Sequence, residues 1–180
     1  MLRAFSRAAG PAHLVIAGAG PLERELRERA AHLEIADRVR FPGFVADLRG
    51  WMQAADGFLL TSKWEGLPMG LIEAAACALP SIATNVAGSR EIIADGETGW
   101  LVPVGSSVLV SDRMRQAMKM TVEQRAALGQ RARKRIVDSF SIDAVLDRWE
   151  QFYRGLLKAN PKRRRWANSR PNIFTISGGA

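Results

Sequence analysis

Apolar runs of strand length alternate along this chain with amphipathic helical patterns, and that alternation restricts the fold more than any other feature. His13-Leu14-Val15-Ile16-Ala17-Gly18 is a short β-type run that stops at glycine. Pro21 to Leu33 then carries Leu22, Leu26, Ala30 and Leu33 at spacings of four and three, which predicts a helix with charges on its other face. Arg38-Val39-Arg40-Phe41 is a second strand, closed by Pro42-Gly43, and Asp47 is placed to cap a short helix through Ala54. Gly57 to Thr61 reads as a buried strand, Gly70 to Ala78 as a helix, Pro80 to Thr84 as a strand and Ser89 to Ala94 as a short helix. Turn signals at Asp95-Gly96 and Thr98-Gly99 precede the strand Trp100-Leu101-Val102. After Ser106 only helices follow: Val108 to Met120, Val122 to Phe140 and Ile142 to Lys158, the last two opened by Thr121 and Ser141. The residues Met1 to Ala9 read as an amphipathic helix that begins abruptly.

Strand–helix alternation of this kind implies an α/β fold, a Rossmann-like parallel sheet with helices on both faces, followed here by C-terminal helices. In such sheets ligands bind beyond the carboxyl ends of the strands. The turns to inspect are therefore Gly18-Ala19-Gly20, Gly43-Phe44-Val45 and Ser62 to Met69.

Composition narrows the class. With 47% hydrophobic and 24% charged residues over 180 positions, the chain suits one globular α/β domain. No stretch approaches the roughly 20 unbroken apolar residues of a membrane-spanning helix, and the N-terminus is too short and too charged for a secretory signal. Cys77 is the single cysteine, so no disulfide framework forms and a cytoplasmic setting is expected. Of the formal net charge of +8, six positive charges lie between Lys158 and the end with no acidic residue among them, leaving +2 for residues 1–157. The basic character belongs to the tail, which argues against nucleic acid as a partner of the folded body. The expected organisation is a domain over residues 1–158 and a basic, disordered tail over 159–180, whose run Lys162-Arg163-Arg164-Arg165-Trp166 suits peripheral contact with an anionic membrane.

The chemistry concentrates in Ser62-Lys63-Trp64-Glu65-Gly66-Leu67-Pro68-Met69-Gly70-Leu71-Ile72-Glu73. A strand ends at Thr61, a loop follows, and Pro68 suits the first position of a helix. The amides of Met69, Gly70 and Leu71 would then be free at a helix N-terminus, a favourable place for phosphate. Gly66 and Gly70 permit close approach of a ligand to the backbone. Glu65 and Glu73 bracket this anion site, and a carboxylate accepts well from vicinal hydroxyls of a sugar ring. Either glutamate alone is explained by solvation or by the helix dipole. Two of them flanking a diphosphate cradle suit a nucleotide-sugar, with one hydroxyl-rich ring on each side of the phosphates.

Glu65 and Glu73, followed by Ala74-Ala75-Ala76-Cys77-Ala78-Leu79-Pro80, resemble the glutamate-pair motif of retaining glycosyltransferases of the GT-B fold, family 4, also called glycosyl transferases group 1. Val15 to Pro21 resembles the family's first glycine loop and Val39 to Val45 its base-side strand and loop. Gly88 to Ile93 and Asp95 to Val102 resemble its downstream segments. The resemblance covers about residues 1–155 in order.

The resemblance implies a catalytic role for Glu65, at the donor sugar's hydroxyls, and a ribose-holding role for Glu73. It implies that the backbone from Gly66 through Leu67, Met69, Gly70 and Leu71 meets the diphosphate and sugar, that Phe44 and Val45 border the base, and that Gly18 belongs to the donor site. It further implies transfer of a sugar from a nucleotide diphosphate donor to an acceptor hydroxyl with retention, without a metal or other cofactor. Two departures stand out. Ala78 occupies a helix-ending position that favours positive φ, where the family usually has glycine. The family's upstream basic pair and its N-terminal acceptor domain are absent from the sequence, which reads as one half of a longer protein. A non-catalytic nucleotide-sugar-binding fragment is the alternative, and a sugar-nucleotide epimerase a further one. A dinucleotide-binding reading of Gly18-Ala19-Gly20 fails because Glu23 stands where a third glycine is required. His13, His32 and Cys77 are assigned structural roles, and Trp64 either lines the site or packs.

Overall fold

A computed structural model describes residues 1–8 and 10–159. The tail residues from 160 onward, including the basic run, lie outside the described residues. The chain divides into two compact units, the first Met1–Asp138 and the second beginning at Ser139.

In the first unit the elements follow one another as α1 (Leu2–Ala8), β1 (Leu14–Ala17), α2 (Glu23–His32), β2 (Val39–Gly43), α3 (Arg49–Ala54), β3 (Phe58–Leu60), α4 (Met69–Ala76), β4 (Ser81–Thr84), α5 (Ala87–Ile92), β5 (Trp100–Val102), α6 (Ser107–Lys119) and α7 (Val122–Phe140), the last running on past Asp138. All strand pairings are parallel, as the alternation predicts, but the strands form two ladders rather than one. β1 pairs with β2, with Leu14 opposite Val39, and β3, β4 and β5 pair in order, with Leu59 opposite Ile82 and Ile82 opposite Trp100. The strand expected over Gly57 to Thr61 is half-buried rather than buried, because it is the edge of its ladder.

One helix serves both ladders. Leu2 and Phe5 of α1 pack with Ala30, Ile35 and Val39, beside Leu14 and Ile16 of β1. Ala4, on the same short helix, packs with Ile82, Trp100 and Val102 of the other ladder and with Val110 and Leu128. Arg3 and Arg7 stay exposed, so the helix is amphipathic with a broad apolar arc. On the strand β3, Leu59 faces this α1–α6 layer while Phe58 packs with Met52 of α3 and Ala74 and Leu79 around α4. Neighbouring strand residues point to opposite faces, so helices cover both sides.

Local chemistry explains the element ends. Ser106 Oγ accepts from Leu109 N at 3.3 Å, capping α6. Thr121 Oγ1 accepts from Gln124 N while Gln124 Oε1 accepts from Thr121 N, a reciprocal capping box at the start of α7. Asp47 Oδ1 accepts from Arg49 N at 2.9 Å ahead of α3. Helix α4 stops in a six-to-one turn: Leu79 N donates to Ala74 O and Ala78 N to Ala75 O, with Ala78 at φ 57°. The position that the sequence marks as wanting a left-handed residue is left-handed. Glu34 closes α2 in the same way at φ 56°.

Helix α7 then ties down the ends of the two helices it crosses. Gly129 lies against Ala78, where a β-carbon would stand 1.8 Å from the Ala78 carbonyl oxygen. Arg133 donates to Ala76 O at the end of α4, and Arg135 donates to Ile92 O and Glu91 O at the end of α5, each at 2.9 Å from the latter pair. Cations at helix C-termini complete orphan carbonyls and oppose the dipole favourably.

The second unit contains α8 (Ile142–Ala159). Ser141 Oγ accepts from Ala144 N at 3.2 Å, the cap expected for this helix. Its apolar residues Ile142, Leu146, Trp149, Phe152, Tyr153 and Leu156 are exposed, and Trp149 stacks on Tyr153.

Candidate functional site

Within each ladder the strands run in parallel, so their carboxyl ends feed loops toward one edge of that ladder. Gly18 follows β1, Phe44 and Val45 follow β2, and the Thr61–Pro68 loop follows β3. Each predicted site residue ahead of α4 therefore lies just beyond the carboxyl end of a strand. Gly18 takes φ 126°, a conformation that favours glycine, and its amide donates to Gly43 O at 2.8 Å, joining the first two loops.

The Thr61–Pro68 loop is held from behind by the turn after β4. Thr84 Oγ1 donates to Ser62 O at 2.5 Å, and Gly88 N donates to Glu65 O at 3.3 Å. Gly88 is buried against the loop: a β-carbon there would stand 2.3 Å from Gly66 O and 2.9 Å from Pro68 Cδ. Sequence reasoning assigned neither Thr84 nor Gly88 a part in the site. The glycine opening Gly88-Ser89-Arg90-Glu91 was the available signal, but a close approach to a segment 22 positions upstream has no local signature.

The loop delivers its chain to α4 differently from expectation. Pro68 sits at the cap with extended ψ of 97°, and Met69 is the first helical residue. The Pro68 carbonyl accepts from Leu71 N at 3.0 Å and from Ile72 N at 3.2 Å. The amide of Leu71 is thus engaged and its side chain is fully buried, so Leu71 anchors the helix and does not offer a free donor. Among the described residues no backbone acceptor meets the amides of Met69 or Gly70. These two are the open donors at the positive end of the helix dipole. Phe58 underlies this turn, its Cζ 3.4 Å from where a Gly70 β-carbon would stand.

Glu65 is half-buried and Glu73 exposed, and neither carboxylate makes a hydrogen bond or ion pair among the described residues. Both retain their full accepting capacity. The loop's own surface is apolar and open, with Trp64 82% exposed and Leu67 and Met69 also exposed, and Phe44 after β2 is 80% exposed. Trp64 does not pack into the core. Val45 is half-buried. Exposed aromatic and aliphatic side chains beside unpaired donors and acceptors are the mixture that ligand sites display. Cys77 packs beside Met52 and Leu79, in keeping with a structural role, while His13 and His32 are exposed.

Residues 1–135 match the family of glycosyl transferases group 1. The chain belongs to this family. The glycosyl transferase group 1 chain is 33% identical over 147 residues to the N-acetyl-alpha-D-glucosaminyl L-malate synthase of Bacillus anthracis, a match that takes in 82% of this chain and 38% of that protein. It is 29% identical over 154 residues to the lipopolysaccharide core biosynthesis glycosyltransferase LpsE of Rhizobium meliloti, covering 84% of this chain and 44% of that one. Among solved structures, Anabaena HepE in complex with UDP superposes with a TM-score of 0.78 at 21% identity, over 86% of this chain and 44% of HepE. The shared fold is one Rossmann-like half of a GT-B architecture. The chain spans less than half the length of these relatives.

Proposed function

We propose that this chain is the donor-binding half of a retaining glycosyltransferase. It holds a nucleotide diphosphate sugar while a partner domain presents the acceptor hydroxyl. The observation that carries this reading is the start of α4, where the open amides of Met69 and Gly70 lie between two unpartnered carboxylates, Glu65 and Glu73. The amides and the helix dipole suit a diphosphate, Glu73 suits the ribose, and Glu65 suits the donor sugar's hydroxyls. Phe44 and Val45 border the base, and Gly18 lets the β1 loop approach the phosphates. Support for the phosphates as negative charge builds on the leaving group is the main catalytic contribution of this half. The complex of HepE with UDP supports the donor class. The cradle works without a metal.

We place the protein in the cytoplasm. Among the described residues no helix is long and apolar enough to cross a membrane. Peripheral contact with an anionic membrane is supported by the six basic residues from Lys158 onward, and it is tested by sedimentation with phosphatidylserine vesicles.

Calorimetry with UDP, GDP and ADP, run beside a transfer assay and repeated in EDTA, tests the reading. One nucleotide binds, EDTA leaves its affinity unchanged, and the chain alone does not turn over. Glu73→Ala weakens binding with the fold intact. Equal affinity in a folded Glu73→Ala protein would remove the ribose assignment, and turnover by the 180-residue chain would remove the need for a second half.

A further inference from the structure

We propose that Thr84 is a positioning residue for Glu65: its hydroxyl fixes the loop on which that carboxylate rides, and so governs the grip on the sugar half of the ligand separately from the nucleotide half. The proposal rests on the proposed function for what the ligand is; the clasp itself does not.

The two carboxylates stand on supports of different kinds. Glu73 lies inside α4, whose packing residues Leu71 and Ala74 are fully buried, and its carbonyl accepts from Cys77 N at 3.0 Å. Glu65 lies in the Thr61–Pro68 loop, among the exposed residues Lys63, Trp64, Gly66 and Leu67. Side-chain burial therefore does little to hold this stretch in place. Among the described residues its backbone is hydrogen-bonded to the rest of the protein at two carbonyls ahead of Pro68, Ser62 O and Glu65 O.

The two attachments differ in stiffness. Gly88 N reaches Glu65 O at 3.3 Å, a long bond for an amide, from the six-residue helix α5. Thr84 Oγ1 reaches Ser62 O at 2.5 Å from the end of β4, the middle strand of its ladder. Thr84 pairs with Val102 of β5, and beside it Asn85 N donates to Val102 O at 2.7 Å. Thr84 and Val102 are both buried. The hydroxyl thus hangs from a backbone that cannot follow the loop. A threonine hydroxyl commonly finds an acceptor within a few residues of itself. Here the acceptor lies 22 positions upstream, on the segment with the fewest other supports.

The consequence is selective. Met69 and Gly70, whose amides suit the diphosphate, and Glu73, which suits the ribose, belong to α4 and are held by the buried Pro68, Leu71 and Ala74. Loss of the Thr84 hydroxyl frees the loop and leaves the helix in place. A displacement of about 1 Å can cost a positioned group about 100-fold in effect. Even a partial shift of Glu65 therefore weakens the hold on the sugar while nucleotide binding is kept.

Thr84→Val, Thr84→Ser, Glu65→Gln and the double variant Thr84→Val/Glu65→Gln test this in the full 180-residue chain. Calorimetry measures whichever of UDP, GDP and ADP binds, then its glucose and N-acetylglucosamine conjugates. Hydrogen exchange by NMR follows the Gly88 amide without ligand. The expected result for Thr84→Val is faster exchange at Gly88, about ten-fold weaker binding of the tighter conjugate, and a change of less than about three-fold for the free nucleotide. Thr84→Ser restores all three, and in the Glu65→Gln background the valine weakens the conjugate no further. Should the valine variant not fold, Thr84→Cys, a weaker donor of similar size, takes its place with the same expectations. Equal losses for nucleotide and conjugate, an undiminished effect of the valine in Glu65→Gln, or failure of serine to rescue would overturn the positioning role. A chain that binds none of the three nucleotides removes the donor reading; exchange at Gly88 then tests the clasp by itself, and an unchanged rate in Thr84→Val overturns it.

Discussion

A β-carbon on Gly88 would stand 2.3 Å from the carbonyl oxygen of Gly66, so the turn after β4 and the loop carrying Glu65 touch backbone to backbone. Nothing larger than hydrogen fits between them. Gly88→Ala should push the loop outward, at a cost of about 1–3 kcal/mol in stability from overpacking. It should also lower nucleotide affinity by more than the loss of folded protein accounts for. Urea denaturation and calorimetry on the same variant separate the two effects, and unchanged affinity would show that the loop's position does not matter to the ligand.

Thr84 is buried and its hydroxyl donates to Ser62 O, the other attachment of the same loop. Thr84→Val keeps the shape and removes the donor, leaving the carbonyl unsatisfied. The expected destabilisation is about 1–3 kcal/mol. A change in midpoint below the detection limit of chemical denaturation would mean that water replaces the hydroxyl.

The left-handed turn at Ala78 separates strain from packing. Ala78→Gly relieves a β-carbon held at φ 57° and should stabilise the protein by up to about 1 kcal/mol, part of the relief being offset by the freer unfolded chain. Gly129→Ala should do the opposite, because its β-carbon would meet Ala78 O at 1.8 Å, a backbone atom that cannot swing aside. Thermal unfolding of both variants checks the signs, and a stabilising Gly129→Ala would contradict the contact.

In the 180-residue chain the α-amino group of Met1 is held below its ordinary value of 8.0, first by burial and second by the nearby Arg29. The unfolded chain therefore binds the proton more tightly than the folded one. Stability should rise as pH climbs through the window between the lowered folded value and 8.0, then level off. Nα-acetylation should remove that slope while leaving the rest of the pH profile unchanged. Parallel profiles for the free and acetylated chains would show that the amine is solvated.

What could be read from the sequence was local. Thr121 and Ser141 cap the helices they were expected to cap, since a cap needs only a side-chain oxygen two or three residues before an amide. Ala78 was legible through the resemblance, because it stands at a helix-ending position where the family usually has glycine. The start of α4 was harder. Pro68 fits both the cap and the first helical turn, and only its extended ψ decides that Leu71 loses its free amide. The division of the strands into two ladders was invisible, because strand pairing is decided by partners far apart in the chain and the apolar pattern of β3 is the same in either arrangement. Gly88 belongs with it: the residue is local, but what it touches is not.

Arg133 and Arg135 fasten α7 to the ends of two different helices, α4 and α5, which begin on either side of the loop that carries Glu65. Pulled along its axis, α7 would load both attachments at once, and neither helix end could fray while the other held. The first unit should therefore yield as a single mechanical element, with the Glu65 loop failing together with the helix that clasps it from behind.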